Sequence, residues 1–156
     1  MAAVALTDAE RTFLSALDDL GVKYMVVGLS AAVLQGADTV TVDIDLWLEN
    51  RADPRIHEAA QRAGGVWIPG HFGMAPPTLG GEALGNRFDI VTTLDGLDDF
   101  QTEYAGSLTI EVDGLRVRTL PLPRILQSKR AAGRAKDLAV LPALEAAIAA
   151  VADEEK

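Results

Sequence analysis

The stretch "VDIDLWLE", residues 42–49, sets Asp43 and Asp45 one residue apart inside a run whose Val, Ile, Leu and Trp otherwise read as a buried β-strand. Along a strand, residues i and i+2 project to the same face, roughly 7 Å apart, so both carboxylates point one way. Two like charges held that close repel and raise at least one pKa unless a cation sits between them. The stretch therefore asks for a metal ion, or for a structural reason to bury acid.

Upstream, "VKYMVVG" reads as a short buried strand running into Gly28, and "LSAAVLQG" as a short helix with Ser30 near its start and Gly36 at its end. Before these, "TDAERTFLSALDDLG" opens with Thr7 and Glu10 spaced as a capping box. It carries Phe13, Leu14, Leu17 and Leu20 on one face and stops at Gly21, as an amphipathic helix does. Downstream, "DPRIHEAAQRAGG" has Asp53 as N-cap, Pro54 at the first helical position and a Gly-Gly stop. Residues 69–85, rich in glycine and proline, read as a loop around at most a short strand. "RFDIVTTL" is the next strand, carrying Asp89. "SLTIEV" and "LRVRTL", joined by Asp113-Gly114, form a hairpin. The end is helical, through "LPRILQSKRAAG" and "RAKDLAVLPALEAAIAAVA", with Pro142 either kinking the second helix or starting a new one. Interleaved strands and helices plus a hairpin predict an α+β (mixed α/β) fold, a mixed sheet flanked by helices with a helical C-terminus.

The chain has 156 residues, 49% of them hydrophobic, which suits one domain over residues 1–156 with its own core. No apolar run approaches a membrane span and the first residues lack a secretory pattern, so the expected location is cytoplasmic, without a membrane partner. There is no cysteine, so any metal must take oxygen or imidazole ligands. A net charge of -9 argues against a broad non-specific grip on nucleic acid. The cations are unevenly placed, however: Arg124, Lys129, Arg130, Arg134 and Lys136 fall together and leave room for a local anion site.

Three features then line up: a strand ending at Gly28 with Ser30 at a helix start, the Asp43/Asp45 pair on the next strand, and Asp89 on a later one. Free N–H groups at a helix start suit a phosphate, and carboxylates on neighbouring strands suit divalent ions. Together they describe a nucleoside triphosphate site. For Asp89 the plainer alternative is a strand-end residue paired with Arg87 or Lys129. For Lys129, Arg130, Arg134 and Lys136 it is a solvated helical face. His57 reads as an inert surface residue, His71 as a solvent-facing loop residue, and Trp47 and Trp67 as core.

The blocks "YMVVGLSAAVLQGADTVTVDIDLWLE", "RFDIVTTL" and "LPRILQSKRAAGRAKDLAVLPALEA" resemble the nucleotidyltransferase fold, specifically small bacterial nucleotidyltransferase-like proteins related to the toxins of abortive-infection and toxin/antitoxin systems. The resemblance implies a Gly-rich turn at Gly28 and Ser30 that binds the triphosphate. It implies an Asp43/Asp45 pair holding Mg²⁺ or Mn²⁺, Asp89 completing the catalytic metal site, and phosphate or substrate contacts from Lys129 and Lys136. The implied activity is transfer of a nucleoside monophosphate from an NTP to an acceptor hydroxyl. The acceptor stays open between an RNA end, a protein and a small molecule, and a cognate antitoxin is an implied partner. Leu29 stands where the family has a second glycine, and no basic residue precedes the Asp pair in "ADTVTV". These departures support the alternative of a catalytically decayed binding or regulatory module with the same fold. A third reading is a non-catalytic metal-binding protein.

Overall fold

The computed structural model describes residues 5–70 and 77–155. A five-stranded mixed sheet organises them, in the order β5-β2-β1-β7-β6, with β1 at Tyr24–Val27, β2 at Ile44–Leu48, β5 at Phe88–Val91, β6 at Leu108–Val112 and β7 at Leu115–Thr119. β1 pairs antiparallel with β2 and parallel with β7, β2 pairs parallel with β5, and β6 and β7 form the expected antiparallel hairpin. Its turn places Asp113 at φ 50° and Gly114 at φ 84°, both left-handed, the twist that a two-residue hairpin needs.

Helix α1 (Asp8–Asp19) begins with the reciprocal Thr7/Glu10 capping box read from the sequence and buries Phe13, Leu14 and Leu17. A ring contact between Phe13 and Phe88, 5.4 Å between centroids, ties it to β5. α2 (Gly28–Leu34) follows β1 directly. α3 (Pro54–Arg62) is capped by Asp53, with Pro54 at its start, and packs on α1. The segment expected to be a loop contains strand β4 (Thr78–Gly80), which pairs antiparallel with β3 (Val66–Ile68) in a separate two-stranded sheet. His71, in the same segment, lies outside the described residues.

α4 (Phe100–Ala105) had no counterpart in the sequence reading, although its N-cap Asp99 accepts from the Thr102 N–H at 3.0 Å. α5 (Leu122–Ala132) ends at Gly133, with φ 64°. The two alternatives for Pro142 resolve in favour of a fresh start: α6 (Ala135–Ala139) stops, and α7 (Leu141–Glu154) begins with Pro142 in its first turn. Both tryptophans belong to the core as expected, and Trp47 meets the edge of Phe100 at 5.5 Å. Among the described residues no helix is long and apolar enough to cross a membrane.

Candidate active site

Because β2 and β5 run parallel in register, Asp45 and Asp89 face each other as direct ladder partners, followed by Trp47 and Val91. Neighbours in register share a face, so both carboxylates project together. Asp43, two residues before Asp45, joins that side. The three aspartates singled out in the sequence therefore converge. Asp43 and Asp89 are exposed, and Asp45 is half-buried.

Their electrostatics record the convergence. Burial first, and then the Asp89 charge, pushes the Asp45 carboxyl up from 3.8 to about 6, while Lys129 and Lys136 pull it back down. Asp89 is also raised, first by burial and then by the charge and hydrogen-bonding of Asp43. Among the described residues none of the three takes part in an ion pair. The pairings that would make Asp89 an ordinary strand-end acid are not the ones observed: Arg87 pairs with buried Glu10 at 3.2 Å, and Lys129 with buried Asp137 at 3.5 Å.

Hard oxygen donors with unbalanced negative charge suit Mg²⁺ or Mn²⁺. Among the described residues, however, no three acidic or imidazole groups close around one point. The donors thus fit a divalent ion in kind, in an open arrangement whose shell must be filled partly by other oxygens.

Gly28 is fixed by two independent constraints. Its φ of 62° is left-handed, and a Cβ there would fall onto Asp45 Oδ2 and lie 3.1 Å from Asp45 Cγ. Ser30, expected with Gly28 in a turn that binds the triphosphate, has its hydroxyl fully buried. It donates to the Val27 carbonyl at 2.9 Å and accepts from the Asp45 N–H at 3.0 Å. Leu29, at the place of the second family glycine, is half-buried and packs against the core.

α5, which packs on α2, and α6 place Lys129 and Lys136 where their charges lower the Asp45 pKa. Asp137, buried at 1% exposure, holds this region together. It pairs with Lys129 and accepts from Arg134 Nε at 2.6 Å, and those same cations keep its carboxyl low, Arg134 foremost. Sequence reasoning missed this anchoring role, for which the Arg134 and Asp137 spacing of an N-terminal cap was the available signal. Next to the carboxylates along the strands lies an open cleft of about 650 Å³. Trp47 and Val91, the residues that follow Asp45 and Asp89 on the same face, line it together with Glu49, Thr93, Asp98 and Phe100.

The fold is that of nucleotidyltransferases. The aminoglycoside nucleotidyltransferase ANT(2'')-Ia, solved in complex with adenylyl-2''-tobramycin, is 15% identical with a TM-score of 0.54, over 93% of this chain and 95% of that one. A solution structure of the antibiotic-resistance factor ANT(2'')-Ia is likewise 15% identical with a TM-score of 0.56, covering 94% of this chain and 84% of that one. An antigenic nucleotidyltransferase-like protein from Paracoccidioides brasiliensis is 18% identical with a TM-score of 0.53, over 90% and 78% of the two chains. No protein-family model matches the chain, and none of the curated proteins compared with it is significantly similar.

Proposed function

We propose that this protein transfers a nucleoside monophosphate from an NTP to an acceptor hydroxyl. The observation that carries the reading is the in-register pairing of Asp45 with Asp89, with Asp43 beside them and, among the described residues, no ion pair to any of the three. Asp43 and Asp45 would hold Mg²⁺ or Mn²⁺ against the triphosphate, and Asp89 would complete the site. The ion supplies charge neutralisation on the phosphates when bound. Phosphate oxygens would fill the shell that the three carboxylates leave open.

The chain's own groups do the rest. Asp89 is exposed and has a raised pKa, so it is suited to take the proton of the acceptor hydroxyl as the oxygen bonds to the α-phosphorus and pyrophosphate leaves. Lys129 and Lys136, whose charges already act on Asp45, would offset the departing charge, and Gly28, packed against the Asp45 carboxylate, would border the triphosphate. Most of the rate would come from positioning and electrostatics.

The cleft beyond Trp47 and Val91 is the acceptor site in this reading. Glu49 and Asp98 on its wall, with a net charge of -9 on the chain, favour a compact cationic polyhydroxylated acceptor over a long stretch of RNA. The sequence resemblance adds a role in toxin/antitoxin or phage-defence systems with a cognate antitoxin, which remains part of the proposal. The second reading, a decayed binding module, draws support from the unclosed carboxylate group.

Incubation with each α-phosphate-labelled NTP, Mg²⁺ and, separately, an aminoglycoside, tRNA and cell extract tests the proposal. It expects label on an acceptor and release of pyrophosphate, both abolished in Asp45→Asn. Absence of label from every acceptor, with intact nucleotide recovered, contradicts it.

A further inference from the structure

We infer that Ser30 is a positioning residue, which holds the Asp45 backbone so that its carboxylate stands beside Asp89. Val27 and Asp45 are ladder partners at the end of the β1/β2 pair. The Ser30 hydroxyl bridges them: Asp45 N–H donates to Oγ at 3.0 Å, and Oγ donates to the Val27 carbonyl at 2.9 Å. The side chain is at 0% exposure, so no water competes for either bond. Its single proton is committed to Val27, which leaves it nothing to donate to a phosphate.

The bridge works together with Gly28. Ser30 fixes where the Asp45 main chain sits, and the missing Cβ at Gly28 leaves the space that the Asp45 carboxylate occupies. Both residues lie in the first turn of α2, directly after β1, so that turn sets the position of a carboxylate fifteen residues beyond Ser30 along the chain. On the other side of β2 the parallel pairing with β5 places Asp89. Asp45 is thereby located from both flanks, and in Ser30→Ala the flank towards β1 loses its side-chain bridge while the strand pairing remains. The expected result is a carboxylate pair at altered separation, with a weaker hold on a divalent ion.

The inference rests on the metal-dependent reading above, so its test separates the two. Mn²⁺ is titrated into the parent, Ser30→Ala and a core control, Leu17→Val in α1, and bound ion is followed by electron paramagnetic resonance. Amide exchange at Asp45 is measured alongside. The parent should bind Mn²⁺; Ser30→Ala should bind it about tenfold more weakly and exchange the Asp45 amide faster. Leu17→Val, though less stable, should match the parent in both. Parent-like Mn²⁺ affinity in Ser30→Ala overturns the positioning role while leaving the metal site standing. Equal weakening in Leu17→Val reduces it to general stability and overturns it as well. No Mn²⁺ binding by the parent refutes the metal reading and this inference with it.

Discussion

Asp45 and Asp89 stand side by side as in-register partners of two parallel strands, each with its carboxyl pKa raised and neither offset by an ion pair among the described residues. Strand pairing that stabilises the fold thus forces together two charges that destabilise it, a conflict expected at a functional site.

The conflict makes stability depend on pH in a definite direction. Asp45 binds its proton more tightly folded than unfolded, with the pKa moving from 3.8 to about 6. Its contribution to stability is therefore fully present below the unfolded value and lost as pH rises through about 6. The loss is on the order of 2 to 3 kcal/mol. Asp45→Asn should accordingly melt higher than the parent at pH 7.5 without metal, with the gap closing towards pH 4. Thermal denaturation across that range checks it, and an Asn variant less stable at every pH would assign Asp45 a structural role.

Gly28→Ala should damage both fold and site. The left-handed φ strains any side chain by roughly 1 kcal/mol, and the added methyl collides with the Asp45 carboxylate. Chemical denaturation should show a loss of about 1 to 3 kcal/mol, with divalent-ion binding reduced further than stability alone explains. Parent-like ion binding would show that Asp45 relocates freely.

Lys129 and Asp137 should separate by readout. Lys129→Met removes a cation that acts on Asp45 and should weaken binding of a Mg²⁺-nucleotide about tenfold. Asp137→Asn unbalances Lys129 and Arg134 around a buried site and should cost stability, on the order of 1 to 3 kcal/mol. That loss should be fully present above the ordinary carboxylate value of 3.8 and should fade as pH falls through the lowered folded-state value, because these partners favour the ionised Asp137. Melting curves and nucleotide titrations on the two variants distinguish the effects.

Away from the three aspartates, Glu103 is buried at 4% exposure and accepts from Arg124 at 2.9 and 2.6 Å and from the Asp98 N–H at 2.9 Å. Glu103→Gln should destabilise by about 1 to 3 kcal/mol without altering ion binding at the aspartates. Loss of ion binding in this variant would mean that α4 and α5 set the site geometry more than the turn at Gly28 does.

What the sequence made legible was local. Thr7 and Glu10 announce the start of α1, Asp113-Gly114 the hairpin, and Asp53-Pro54 the start of α3, because each signal acts within a few residues. The three aspartates were legible as candidates because carboxylates in apolar strands conflict with burial. The hydrogen bonds of the Ser30 hydroxyl were not legible, since its partner Asp45 lies on another element and only the β1/β2 register brings them together. Lys129 could not be separated from a solvated face until Asp137 was seen buried beside it. α4 is six residues long, too short for helical periodicity to stand out.

The most direct test of the central claim is calorimetric titration of a non-hydrolysable NTP analogue into the parent and Asp45→Asn at pH 7.5, each with and without Mg²⁺. Asp43, Asp45 and Asp89 should give the parent Mg²⁺-dependent nucleotide binding that Asp45→Asn loses. Nucleotide binding equally strong without Mg²⁺, or equally strong in Asp45→Asn, would contradict a metal-dependent nucleotidyltransferase site at these aspartates.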